Sequence, residues 1–161
     1  MEKKKILFVC MGNICRSPSA EAVFKGLVKK EGIEQQFEID SAGTGAWHAG
    51  EPADKRMRKH ATERNYDLTS IARQFDPDND FDDFDLIIGM DDENVTNLKN
   101  LARNEGDSKK IHKITDYRKE WNYDEVPDPY YGGDEGFELV LDLLEDSCQG
   151  LLEEVTDQPT Q

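Results

Sequence analysis

Ile6-Leu7-Phe8-Val9 is the first apolar run of the chain, set between a lysine cluster and the break at Gly12-Asn13. A short, continuous run with β-branched and aromatic bias predicts a strand buried on both faces, over 5–9. Ser17-Pro18 then predicts a helix start, with Ser17 as N-cap and Pro18 at the first helical position. Ala20, Val23, Phe24, Leu27 and Val28 follow at helical spacing, and Gly32 closes the element. A second strand is expected over 37–40, leading into a loop over 41–50. Residues 53–65 read as a helix, 84–89 as a third strand, 92–101 as a helix and 110–114 as a short fourth strand containing His112. Asp76-Pro77-Asp78-Asn79-Asp80 reads as an acidic turn. The stretch 115–133 has no periodicity, is rich in aromatics, Pro and Gly, and is read as a long functional loop. Phe137, Val140, Leu141, Leu144, Cys148, Leu151, Leu152 and Val155 hold a helical stripe that predicts a long final helix. A frayed tail is expected over 157–161.

Strand–helix alternation with continuous apolar strands implies an α/β fold: a single-domain, doubly wound sheet of four parallel strands with helices on both faces. A chain of 161 residues suits one such domain. In these sheets ligands sit outside the strand carboxyl ends, where the strand order reverses. The loops over 10–17, 41–50, 90–91 and 115–133 all leave strand carboxyl ends and are expected to converge on one site.

Charge narrows the partners. The formal net charge is -15, and no Lys or Arg occurs from Trp121 to Gln161. Such a chain repels nucleic acid and anionic lipid, and most of its acid is expected to form a solvated face. Lys55-Arg56-Met57-Arg58-Lys59-His60 is a local exception, read as a solvated helix face or a steering patch for acidic phosphopeptides. No apolar run approaches the ~18 residues of a membrane span. The basic start is followed by only about six apolar residues and no cleavage site, which is too short for a signal peptide. A cytoplasmic protein, monomeric or weakly dimeric, is expected. Three cysteines, Cys10, Cys15 and Cys148, fit reduced thiols better than a disulfide framework.

The strand-to-helix junction carries the chemistry. Two thiols and an arginine there could serve a metal site, a redox pair, a phosphate cradle or packing. Cys10-Met11-Gly12-Asn13-Ile14-Cys15-Arg16 has a length that can curl its backbone N–H groups around an anion, capped by a helix N-terminus. Gly12 permits close approach, and Asn13 tolerates a left-handed backbone. Arg16 offers a planar two-pronged grip on phosphate oxygens. An ordinary thiol is only about 3% ionised at pH 7, but these N–H groups, the helix dipole, Arg16 and the Ser17 hydroxyl all favour a thiolate at Cys10. Zinc is disfavoured because His48, His60 and His112 show no paired ligand spacing.

The run Cys10 to Pro18 resembles the phosphate-binding loop of the low-molecular-weight protein tyrosine phosphatases. The resemblance continues through Asp40-Ser41-Ala42-Gly43-Thr44, Gly50-Glu51-Pro52, Ile71-Ala72-Arg73-Gln74, Met90-Asp91 and Asp128-Pro129-Tyr130-Tyr131-Gly132, covering essentially the whole chain. It implies that Cys10 attacks phosphorus, that Arg16 with the amides of Met11, Gly12, Asn13, Ile14, Cys15 and Ser17 holds the phosphate, and that Asp128 is general acid and base. It further implies that Ser17 bonds the thiolate, that Asn13 and Ser41 brace the loop, and that Met11, Trp47, Tyr130 and Tyr131 line the substrate slot. Phosphotyrosine proteins would be substrates and inorganic phosphate the product, without metal or cofactor. In the family, the second thiol, here Cys15, can form a reversible disulfide with the nucleophile; Cys148 is expected to be inert core. Relatives that resemble protein-arginine phosphatases carry threonine where Ile14 stands and a single Phe in a shorter acid loop, so Ile14 with Tyr130-Tyr131 favours phosphotyrosine. Arsenate reduction on the same fold needs relay cysteines that the loop after Ile88-Gly89 lacks. Ser70 is a departure, since a histidine often precedes the Ile-Ala-Arg-Gln run.

Overall fold

The computed structural model describes residues 3–156; the tail expected over 157–161 lies outside them. Four strands, β1 (Lys4–Cys10), β2 (Phe37–Gly43), β3 (Leu86–Gly89) and β4 (Ile111–Lys113), form one sheet in the order β2-β1-β3-β4. Every pairing is parallel, with Val9 opposite Ala42 on one side and Gly89 on the other. The helices are α1 (Arg16–Lys30), α2 (Lys55–Thr62), α3 (Pro77–Asp83), α4 (Asp92–Leu101), α5 (Glu105–Lys109) and α6 (Asp134–Thr156).

β1 shows why the sheet is covered twice. Successive side chains of a strand point to opposite faces. Ile6, Phe8 and Cys10 accordingly enter a core built with Val23 and Phe24 of α1, Met57 of α2 and the stripe of α6. Leu7 and Val9 enter a second core with Phe81 of α3 and Leu98 of α4. Ile6, Leu7, Phe8 and Val9 are wholly buried. Each such side chain contributes about 1.5–3 kcal/mol, which makes β1 the anchor of both layers. The chain order reverses at β1 and β3, so the loops leaving their carboxyl ends open the crevice expected of this topology.

Several elements differ from their predicted form. Helix α1 begins at Arg16 with Cys15 at its N-cap position, so Ser17 lies inside the first turn and is not the cap. Its hydroxyl is taken by groups at the end of β1. The acidic stretch at 76–80 is not a simple turn, because Asp76 caps α3 by accepting the Asp78 N–H, with Pro77 in its first turn. Helix α2 is shorter than expected and is capped by Asp54, which accepts the N–H groups of Arg56 and Met57. β2 runs on to Gly43 and so carries Ser41 on the strand. The five-residue α5 had no sequence signal, whereas α6 keeps its predicted stripe, with Cys148 wholly buried on it.

The acid of α6 is also not all solvated. Arg64, in the turn just after α2, reaches Glu138 at 2.6 Å, Asp142 at 2.9 Å and Glu145 at 3.0 Å. The Asp146 carboxylate accepts the N–H groups of Lys119, Glu120 and Trp121, fixing the long loop that follows β4. Among the described residues no helix is long and apolar enough to cross a membrane.

Candidate active site

Cys10 ends β1, 3% exposed, and after five intervening residues the chain enters α1 at Arg16. Asn13 supplies the bend, with φ at 58°. Its side chain has three partners: Oδ1 accepts the Arg73 N–H at 3.0 Å, while Nδ2 donates to Ser17 Oγ at 2.8 Å and Ser41 Oγ at 3.0 Å. Ser41 in turn donates to the buried Glu21 carboxylate at 2.7 Å. The Ser17 hydroxyl hydrogen is then free for Cys10 Sγ at 3.0 Å or, less closely, the Ala42 carbonyl at 3.4 Å. The Ser17 N–H lies 3.4 Å from the same sulfur. When Cys10 is ionised, the Ser17 N–H and the Ser17 hydroxyl can both donate to its sulfur.

β2 seats the loop from behind. Thr44 N–H donates to the Cys10 carbonyl and Gly45 N–H to the Met11 carbonyl, both at 2.9 Å. A Cβ on Gly43 would fall 2.8 Å from the Met11 carbonyl oxygen and 3.2 Å from Asn13, so glycine is required for this approach. From the α2 side, Asp54 N–H donates to the Ile14 carbonyl at 2.8 Å.

Arg16, also 3% exposed, is aimed by partners that sequence reasoning left without a role. Its Nη1 donates to Asp91 Oδ2 at 2.6 Å and to the Val126 carbonyl at 3.0 Å. Nη2 lies 3.9 Å from Asp128 Oδ2. Burial opposes the guanidinium charge, but Cys10, Asp91 and Asp128 outweigh it and hold its pKa above the ordinary arginine value. Cys15 behaves oppositely: burial first, then the charges of Asp54, Cys10 and Asp128, push its thiol far up, so it stays protonated. Asp128 stands on the loop before α6, with Oδ1 accepting the Tyr130 N–H at 3.0 Å.

These groups face one cavity of about 410 Å³. Cys10, Arg16 and Asp128 line it together with Met11, Gly12, Ile14 and Cys15 of the loop. Trp47, Tyr130 and Tyr131 form its rim, the two tyrosine rings edge to face at 5.0 Å. Of the residues singled out from sequence, Asn13, Ser17 and Ser41 stand behind the cavity in the hydrogen-bonded network, and Cys148 lies apart on α6. His48 was missed as a rim residue; it lies 3.0 Å from Glu51 and packs where a Gly12 Cβ would point. Asp91 had a legible signal, since it follows β3 as the Cys10 loop follows β1. The Val126 carbonyl had none.

A chain with this geometry has close relatives. The family model for low molecular weight phosphotyrosine protein phosphatase matches residues 5–161. A low molecular weight protein-tyrosine-phosphatase of Streptomyces coelicolor is 42% identical over 156 residues, covering 96% of this chain and 94% of that one. The crystal structure of a protein tyrosine phosphatase from Entamoeba histolytica superposes with a TM-score of 0.93 at 43% identity, covering 96% of this chain and 98% of the other. A Drosophila arginine phosphatase superposes with a TM-score of 0.88 at 32% identity, covering 94% and 98%. The chain belongs to the low molecular weight phosphotyrosine protein phosphatase family. It is an enzyme of the hydrolase class, a phosphatase.

Proposed function

We propose that the protein removes phosphate from phosphotyrosine in cytoplasmic proteins, and from small aryl phosphates, through a cysteinyl-phosphate. The observation that carries this reading is the meeting of Cys10, Arg16 and Asp128 on one cavity, with the Ser17 N–H and hydroxyl beside the Cys10 sulfur. The thiolate attacks phosphorus as the ester P–O bond breaks, and Asp128 gives its proton to the departing phenolate. Asp128 then takes a proton from water, whose oxygen attacks phosphorus and releases the thiolate and inorganic phosphate. With Nη1 of Arg16 committed to Asp91 and Val126, Nε and Nη2 are left to grip two phosphate oxygens alongside the loop amides. The chemistry calls for no metal or cofactor.

Ile14, 7% exposed, presents an apolar surface that offers a guanidinium no hydrogen-bond acceptor, and the Tyr130–Tyr131 pair presents aromatic faces on which a phenyl ring can pack. The Drosophila neighbour keeps phosphoarginine as the second reading, and hydrolysis of phosphoarginine peptides in preference to phosphotyrosine peptides would establish it. An arsenate relay finds no second thiol at the cavity other than Cys15. We also infer a protective role for Cys15. Peroxide converts the Cys10 thiolate to a sulfenic acid, and the Cys15 thiol then closes a disulfide with loss of water.

Cys10→Ser is expected to abolish turnover of para-nitrophenyl phosphate while inorganic phosphate still binds by calorimetry. Retained turnover in that variant refutes the mechanism.

A further inference from the structure

Where α2 meets the first turns of α6, the molecule holds a cluster of ionic groups outside the cavity. The His60 side chain is 10% exposed, and its ring stacks on Phe137 at 5.4 Å with planes 9° apart. Nδ1 is in short contact with Glu138 Oε2, and Nε2 lies 3.2 Å from Asp134 Oδ1. A carboxylate can only accept, and a neutral imidazole has one N–H. Both contacts are hydrogen bonds only when the ring is an imidazolium. The charged groups about it are Arg56 from α2, Glu63 and Arg64 from the turn that follows it, and Asp134, Glu138 and Asp142 from α6. Burial opposes the charge on the ring, but Glu138 and Asp134 outweigh it and raise its pKa above the ordinary histidine value.

His60, Glu63 and Glu138 also bring three ligand-type atoms within 4.8 Å of one another. The direct contact of Nδ1 with Glu138 leaves no room for an ion between them, and Arg64 already occupies the other Glu138 oxygen. The cluster therefore suits a proton rather than a metal.

The segment this cluster supports is the one that bears Asp128. Helix α6 begins at Asp134, and Pro129 rests on its first turn, where a Cβ on Gly136 would lie 3.5 Å from Pro129 Cβ. Arg56 lies over the Phe137 ring at 4.9 Å and the Tyr130 ring at 5.4 Å, and donates Nη2 to the Tyr130 carbonyl at 2.9 Å. The two residues that follow Asp128 are thus seated on the α2–α6 junction.

We propose that the His60 imidazolium is a positioning residue for Asp128: bonded to Glu138 and Asp134, it fixes the first turn of α6 against α2, and with it the surface under Pro129 and Tyr130. The inference rests on the general-acid reading of Asp128 given above. Loss of the proton leaves one N–H for two acceptors, and the first turn of α6 loosens.

The test is kcat/KM for phenyl phosphate, whose leaving group needs a proton, and for 2,4-dinitrophenyl phosphate, whose leaving group does not. His60→Gln is expected to slow the first about tenfold and the second less than about twofold. Asp134→Asn, at an exposed position where the fold is not at risk, is expected to slow phenyl phosphate about threefold with the same selectivity. Equal losses on both substrates, or none, overturn the proposal. Asp128→Asn separates the two readings. If that variant shows no selectivity between leaving groups, the acid role falls and the assignment to Asp128 with it; if it does while the His60 and Asp134 variants do not, only the clamp falls. A second readout is the His60 titration followed by imidazole NMR. It is expected above the ordinary value and to move down in Glu138→Gln; an unmoved titration overturns the clamp.

Discussion

On one wall of the cavity, Cys10, Asn13, Arg16 and Ser17 are each at most 3% exposed, and every side-chain donor of Asn13 and acceptor of Ser17 has a named partner. On the facing wall, Tyr131 is 92% exposed, and the Asp128 side chain keeps about a third of its surface in water. The first wall grows from a central strand paired on both sides; the second hangs between a long loop and a helix start. Segments with few buried contacts open at low free energy, while those in the core open only with the whole molecule. The Cys10 wall is thus held from all sides, and the Asp128 wall rests on fewer contacts, those of Pro129 and Tyr130 with α2 and α6.

Five perturbations probe that contrast. Arg16→Lys attacks the Cys10 wall most directly, because an ammonium cannot serve Asp91, Val126 and a phosphate in one plane; kcat/KM is expected to fall roughly 10³-fold by steady-state assay. Asp128→Asn attacks the more exposed wall and is expected to cost about 10²-fold with phenyl phosphate and only a few-fold with the dinitrophenyl ester. Gly43→Ala touches no reacting group, yet its Cβ would press on the Met11 carbonyl; a loss of about 2 kcal/mol in urea unfolding is expected, with weaker phosphate binding.

The fourth perturbation is pH. Because the folded pKa of His60 is raised, its contribution is fully present below the unfolded value and is lost as pH rises through the folded one. Wild type is therefore expected to exceed His60→Gln by about 1 kcal/mol near pH 6, and the gap is expected to close at alkaline pH. A constant gap would show that the ring acts by packing alone. Trp47→Ala is the smallest: at 72% exposure it should raise KM for aryl phosphates about threefold and leave Tm unchanged.

What the sequence disclosed follows the same division. Cys10, Asn13 and Arg16 were legible because a strand end, a turn residue and a helix start stood at fixed spacing. The Val126 carbonyl and the Arg73 N–H, which aim Arg16 and Asn13, are backbone groups that every residue carries. Ser17 misled because a serine before proline is ordinarily a cap, and here the hydroxyl turns to Cys10. Asp76-Pro77 held the signature of a helix start, but the acid that followed read as a turn. His60 reads from sequence as a metal ligand or as part of a basic helix face, because its partners Asp134 and Glu138 lie more than seventy positions away.

The position of β1 in the sheet has a consequence for substitution. Its residues serve both cores and its last residue is Cys10, so changes along the strand that disturb the cores also displace the thiol, whereas a change at Cys10 itself leaves the fold standing. Trp47 and Tyr131, at 72% and 92% exposure, contribute far less to folding than the β1 side chains. Substitutions at the rim are therefore expected to change which phosphoesters bind without moving the strand end beneath them.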